Sequence, residues 1–159
     1  MRNEPSNQLS PKALTVWRIQ AFLNGIFLFL LAVGVSILTY FFNWPKWIIF
    51  ILAIVVIVYV FMSIIYIPKI RMKVWRYEVH EHEIELQNGV FVVRRVLVPM
   101  VRVQHVDTSQ GPILRKYNLS SVTISTAATM HEIPALEVEE ADQLRDYISK
   151  LAREAKDDV

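Results

Sequence analysis

Two stretches without a single charged residue, Ile19 to Phe42 and Trp47 to Ile67, constrain this sequence more than anything else in it. At about 1.5 Å of helical rise per residue, either would cross a hydrocarbon core about 30 Å thick. Only Asn43-Trp44-Pro45-Lys46 separates them. Pro45 cannot extend a helix without losing a backbone donor, and Trp44 and Trp47 carry amphipathic rings of the kind that settle at headgroup depth. The expectation is a tight transmembrane hairpin with spans over 19–42 and 47–67. A cleaved signal peptide is the alternative for the first stretch. Against it, the run exceeds the roughly 7 to 15 residues of a signal core, ends in Tyr40-Phe41-Phe42 instead of small residues, and is followed at once by a second run.

Basic residues set the expected orientation. Arg2, Lys12 and Arg18 precede the first span, Lys69, Arg71, Lys73 and Arg76 follow the second, and the loop holds Lys46 alone. Cations collect on the cytoplasmic side, so both termini are expected there. The chain then divides into a polar tail and interfacial lead-in (1–18), the hairpin (19–67) and a cytoplasmic domain (68–159). That domain holds 13 Lys and Arg against 14 Asp and Glu, a balance that does not suggest nucleic acid as a partner. Cysteine is absent, which excludes disulfides, thiolate metal sites and a cysteine nucleophile.

Past Trp75 the apolar period changes from helical to alternating. "WRYEVH" and "EIELQ" read as strands, and Asn88-Gly89 before "VFVVRRVLV" predicts a hairpin with a type I′ turn. Pro99 interrupts, "VRVQHV" resumes, Asp107 to Pro112 supplies turn chemistry, and "SSVTIST" is rich in β-branched residues. "HEIPALEV" offers a last strand, in which Pro134 favours an edge or a bulge. Ala141, Leu144, Ile148, Leu151 and Ala155 then recur at helical spacing, giving a helix from about Glu139 to Lys156 with one apolar face. The expected fold class is an α+β membrane protein. A two-helix hairpin precedes six or seven antiparallel strands, in a pleckstrin-homology-like barrel or an open sandwich, closed by a C-terminal helix.

The order of Pro99, Arg102, Val103, Gln104 and Val106, then "QGPILR" (Gln110 to Arg115), then "YNL" and "VTIST", resembles the signature of the bacterial pleckstrin-homology domain family of YdbS-like membrane proteins. The hairpin ahead of the domain is similar too, so the resemblance spans roughly residues 15 to 155. The family often has Gly where this chain has Asn118, a residue that also tolerates left-handed backbone. The resemblance implies a small integral protein of the bacterial inner membrane with a cytoplasmic domain, often encoded beside a larger YdbT-like relative that carries several such domains, in a family for which no enzymatic activity is established. The expectation is a non-enzymatic interaction module without cofactor, with the YdbT-like membrane protein as its partner.

Candidate binding residues follow from the strand pattern. Arg102 and Gln104 alternate and share a face, with Arg115 and Lys116 beyond the turn; together they could meet acidic groups of a partner or lipid headgroups. The bland reading, which the Gly- and Pro-containing turn favours, is that Arg102 and Gln104 donate to turn carbonyls. Arg94 and Arg95 point to opposite faces, one exposed and one able to pair with a carboxylate of "EIE". Lys69, Arg71, Lys73 and Arg76 can attract an anionic leaflet besides setting topology. Histidines 80, 82, 105 and 131 lack any zinc spacing, no G-x-S-x-G element occurs, and neither metal nor catalysis is expected. The small residues Ala21, Gly25, Ala32 and Ser36 permit close helix packing, within the hairpin, on another copy or on another protein.

Overall fold

A computed structural model describes residues 4–157. The element order is β1 (Asn7–Gln8), α1 (Lys12–Phe41), α2 (Trp47–Phe61), a π-helical segment (Met62–Tyr66), α3 (Ile67–Val74), then β2 (Arg76–Val79), β3 (Glu83–Asn88) and β4 (Arg94–Pro99). A 3-10 turn (Met100–Arg102) leads into β5 (Val103–Ser109), α4 (Pro112–Lys116), β6 (Leu119–Thr126), β7 (Met130–Glu137) and α5 (Val138–Asp157). Two compact units result among the described residues: 17–70, and 4–16 together with 71–157.

In the first unit α1 and α2 pack as a hairpin. The continuous helical stretches Lys12–Phe41 and Trp47–Val74 are each long and apolar enough to cross a membrane, and very little of either is buried. The core helix of a soluble domain would hide such a surface; here Phe27, Leu30, Phe50 and Ile57 are bare. The turn between the helices follows from its sequence. Asn43 takes a left-handed conformation (φ 52°), and the N–H groups of Asn43 and Trp44 donate to the carbonyls of Tyr40 (3.4 Å) and Thr39 (3.0 Å). This is a Schellman end to α1, with Pro45 barring further helix. Hydroxyls inside α1 are satisfied locally, Ser36 Oγ on Ala32 O and Thr39 Oγ1 on Val35 O, both at 2.8 Å. Three of the four small residues pack the hairpin itself: a Cβ on Gly25 would lie 3.1 Å from Val60 Cγ2, and Ala32 and Ser36 line a groove against Ala53 and Val56. The π segment precedes Pro68, whose ring would collide with the carbonyl four residues back in a regular helix; widening the turn relieves that collision.

The second unit holds two antiparallel sheets, ordered β1-β2-β3-β4 and β5-β6-β7. Its core contains Ile84, Leu86, Val98, Met100, Val103, Val122, Ile124 and Ile133, all fully or nearly fully buried. Helix α5 lies over β5, β6 and the 3-10 turn, burying Ala141, Ile148, Leu151 and Ala152. The expected helix and the antiparallel trio β2-β3-β4 are therefore present, and the barrel-or-sandwich alternative resolves as two sheets.

Three expectations need correction. Residues 4–10 are no free tail: β1 pairs with β2 (Asn7↔Tyr77, Gln8↔Arg76), Pro5 and Leu9 are buried, and Glu4 meets Arg76 at 3.4 Å. The hairpin is thus an insertion between two neighbouring strands of one sheet. Asn88-Gly89 does not make a two-residue turn, because β4 starts only at Arg94 and a five-residue loop intervenes. Finally, Asp107 to Ser109, expected to begin a turn, continue strand β5, and the basic piece beyond is a short helix, α4, with Pro112 at its first turn.

Asn118 follows α4 with φ 56°, and its carbonyl accepts the Val138 N–H that opens α5 (3.3 Å). Asn118→Gly should leave stability within about 1 kcal/mol of the native chain, whereas the β-branched Asn118→Val should cost roughly 2 kcal/mol, read as a shift in denaturation midpoint. Tyr77, buried in β2, donates its phenol to Glu140 Oε1 at 2.7 Å, tying the first sheet to the first turn of α5. Burial first, and then the bond and the negative charge of Glu140, push the phenol's pKa upward. The folded state therefore keeps this proton where the unfolded chain loses it. The contribution is complete below a pH of about 10, the ordinary tyrosine value, and falls away as pH rises above that. Tyr77→Phe should cost ~1 kcal/mol at neutral pH, Glu140 being free to regain water, and the gap between variant and native chain should narrow in alkali.

Candidate functional site

The break at Pro99 moves the chain from the first sheet to the second, and the 3-10 turn that accomplishes it leaves a cleft of about 610 Å³. Leu97, Pro99 and Val101 supply one apolar wall, and the loop Thr126–Thr129 lies across from them. Arg102 and Gln104 both line this cleft, as does Lys156 from the end of α5. Gln104 and Lys156 also border a second, more polar groove of about 470 Å³ between β5 and α5. In that groove Arg145 is neutralised by Asp146 (2.8 Å) and Asp142 (3.1 Å). Among the described residues, no hydrogen bond or ion pair holds the side chain of Arg102, Gln104 or Lys156.

That freedom overturns the bland reading of Arg102 and Gln104. The turn they were expected to brace is held instead by Gln110, whose Nε2 donates to Leu119 O at 2.8 Å, and by Ser120, whose Oγ donates to Ser109 O at 3.0 Å. Arg102 belongs to the 3-10 turn instead of a strand, which is why it reaches the cleft from the rim. Its guanidinium is an exposed fork without a protein partner among the described residues, beside an apolar wall, and suits a carboxylate or phosphate on something that also buries apolar surface.

The remaining candidates do not join them. Arg115 and Lys116 are exposed on α4 and line neither groove. Arg95 is taken up structurally: its Nε donates to Gln87 Oε1 at 2.8 Å and its Nη1 lies 3.7 Å from the buried Glu85, the carboxylate of "EIE" expected for it. Arg94 is exposed. The juxtamembrane cations divide as well. Lys69 and Lys73 are exposed, Arg76 is paired with Glu4, and Arg71 is half-buried beside a cavity of about 240 Å³ that Trp75, Asn88, His131 and Glu132 also line. "HEHE" forms the turn between β2 and β3, closed by the His80 N–H on Glu83 O (2.9 Å). Lys156 was missed from the sequence; the helix carrying it was legible, but the register in which α5 meets β5 was not.

The model of the family described as bacterial PH domain matches residues 14–152. The chain belongs to the bacterial PH domain family. It is similar to UPF0699 transmembrane protein YdbS of Bacillus subtilis (strain 168), with 59% identity over the whole of both chains. It is also similar to UPF0699 transmembrane protein YdbT of the same organism, at 28% identity over an alignment of 83 residues that covers 48% of this chain and 17% of that protein. No solved structure matches. The resemblance carried by Pro99 to Thr126 is thereby confirmed, and with it a membrane protein bearing a bacterial PH domain.

Proposed function

We propose that this protein is a non-enzymatic interaction module, held at the cytoplasmic face of the inner membrane by a two-span hairpin and serving as a subunit beside a larger YdbT-like membrane protein. The observation that carries the reading is the open cleft with its unpaired Arg102 and Gln104 against an apolar wall, on a domain that a membrane protein keeps at the bilayer. Confinement to a surface raises effective concentration for another membrane protein without any new contact. The pairing of β1 with β2 supports a chain that stands on one side of the bilayer before and after the hairpin, as two crossings would leave it. The basic residues at both ends favour the cytoplasm as that side. Likeness to part of YdbT supports a partner that carries related domains.

Arg102→Glu tests this. A reversed charge in the cleft should lower recovery of the partner from crosslinked native membranes tenfold or more, equivalent to about 1.4 kcal/mol, while leaving protein abundance unchanged. An equal fall in abundance would return Arg102 to a structural role. A second reading, anionic headgroup binding, draws on the exposed Lys69, Lys73 and Arg94. It predicts binding to anionic vesicles that weakens with salt, and no binding at low salt would exclude it.

A further inference from the structure

The loop between β3 and β4 is apolar and bare. Phe91 is 89% exposed, Val92 68% and Val93 54%, the largest continuous run of apolar exposure among the described residues of the second unit. Water penalises such a tip, and Gly89 gives it a fixed shape: its φ is +132°, and a Cβ there would meet Val92 O.

Strand register places this loop. Gln8 pairs with Arg76 just before the chain departs for α1, and Arg76 is the residue at which it returns. Arg76 in turn pairs with Gln87, and Asn88 with Arg94, so the loop 89–93 extends from the very end of the first sheet where both connections to the apolar helices are made. Gln87 fastens that end directly, its Nε2 donating to Val74 O at 3.2 Å. Arg94, exposed at the foot of the loop, puts a cation beside the apolar tip, and Lys73, exposed one residue before Val74, adds another at the same end of the sheet.

We propose that the loop Gly89–Val93 inserts into the interfacial layer of the bilayer, Phe91 and Val92 entering the acyl boundary while Arg94 meets lipid phosphates. An apolar tip with a cationic foot fits that layer, where apolar burial and attraction to anionic lipid add. The loop would fix the domain's orientation on the membrane through a third attachment besides its two chain connections. The inference rests on the hairpin crossing the bilayer, but not on the Arg102 cleft.

Because the chain has no cysteine, single labels can be placed without background. Phe91→Cys, Lys116→Cys and Phe29→Cys, each carrying a nitroxide, would be reconstituted as full chains into phosphatidylcholine–phosphatidylglycerol vesicles. Collision with oxygen and with a water-soluble nickel chelate reports depth. The expected result is that the label at 91 is shielded from nickel and open to oxygen, at every lipid-to-protein ratio, while the label at 116 stays open to nickel. Equal nickel access at 91 and 116, with 29 shielded, would overturn the proposal. Shielding at 91 that disappears on dilution into excess lipid would overturn it too, assigning the loop to contact between copies. Nickel access at 29 would remove the hairpin premise itself.

Discussion

Replacing Leu9 by Asp is expected to destabilise the PH domain by about 4 kcal/mol or more. Leu9 is 3% exposed although it precedes the membrane helices in sequence, because β1 lies against β2 and carries its flanking apolar residues into the core. Removing a buried leucine side chain costs roughly 2–5 kcal/mol, and burying an unpaired carboxylate adds to that. Against a domain stability of about 5–15 kcal/mol, the loss is a large fraction of the total. Pulse proteolysis of the full chain in detergent across a urea series should find the variant's domain cleaved at much lower urea than the native one. Glu81→Ala, in the exposed turn between β2 and β3, should shift the midpoint by less than about 0.5 kcal/mol. Coincidence of the Leu9→Asp and native curves would mean that the segment ahead of the hairpin contributes nothing to the fold.

Gly89→Val should produce the next largest loss, about 3 kcal/mol. The position combines a φ of +132° with the Val92 carbonyl oxygen standing where a Cβ would have to go, so the side chain is strained and the loop cannot keep its path. Gly111 is the useful contrast. Its φ is −74°, a Cβ there would find nothing within 4 Å, and it caps the N-terminus of α4, so Gly111→Ser should be neutral or slightly stabilising. Equal midpoints for the two variants in the same proteolysis assay would contradict this account of the loop.

What could be read from the sequence divides along physical lines. The apolar helices were plain because a run of more than twenty uncharged residues has few soluble explanations, and α5 because its apolar face repeats at helical spacing over five residues. Strand β1 left no such signal. It is two polar residues long, Asn7 and Gln8, and is held by backbone pairing together with the isolated anchors Pro5 and Leu9. Asn88-Gly89 misled because the dipeptide suits a type I′ turn, whereas this glycine adopts a φ well beyond the left-handed helical region and opens a wider loop. Pro134 was legible as a bulge: the β6–β7 register shifts between Ser120 and Val122, where Ala135 takes φ 53°.

The candidate site was half legible. Arg102 and Gln104 were singled out together and do line one cleft, although the reason they are available, that Gln110 and Ser120 already brace the turn, depends on hydrogen bonds no spacing reveals. Lys156 joins them from more than fifty residues away, through the packing of α5. Arg115, the last residue of "QGPILR" in the signature, and Lys116 after it are carried elsewhere by α4.

The most direct test of the central claim is a photocrosslinker placed at Gln104, activated in native membranes, with mass spectrometry of the adduct. The expected product is a covalent adduct with a larger membrane protein that carries related domains, lost when Arg102→Glu is combined with the crosslinker. Adducts confined to lipid, or to a second copy of this chain, would contradict the claim.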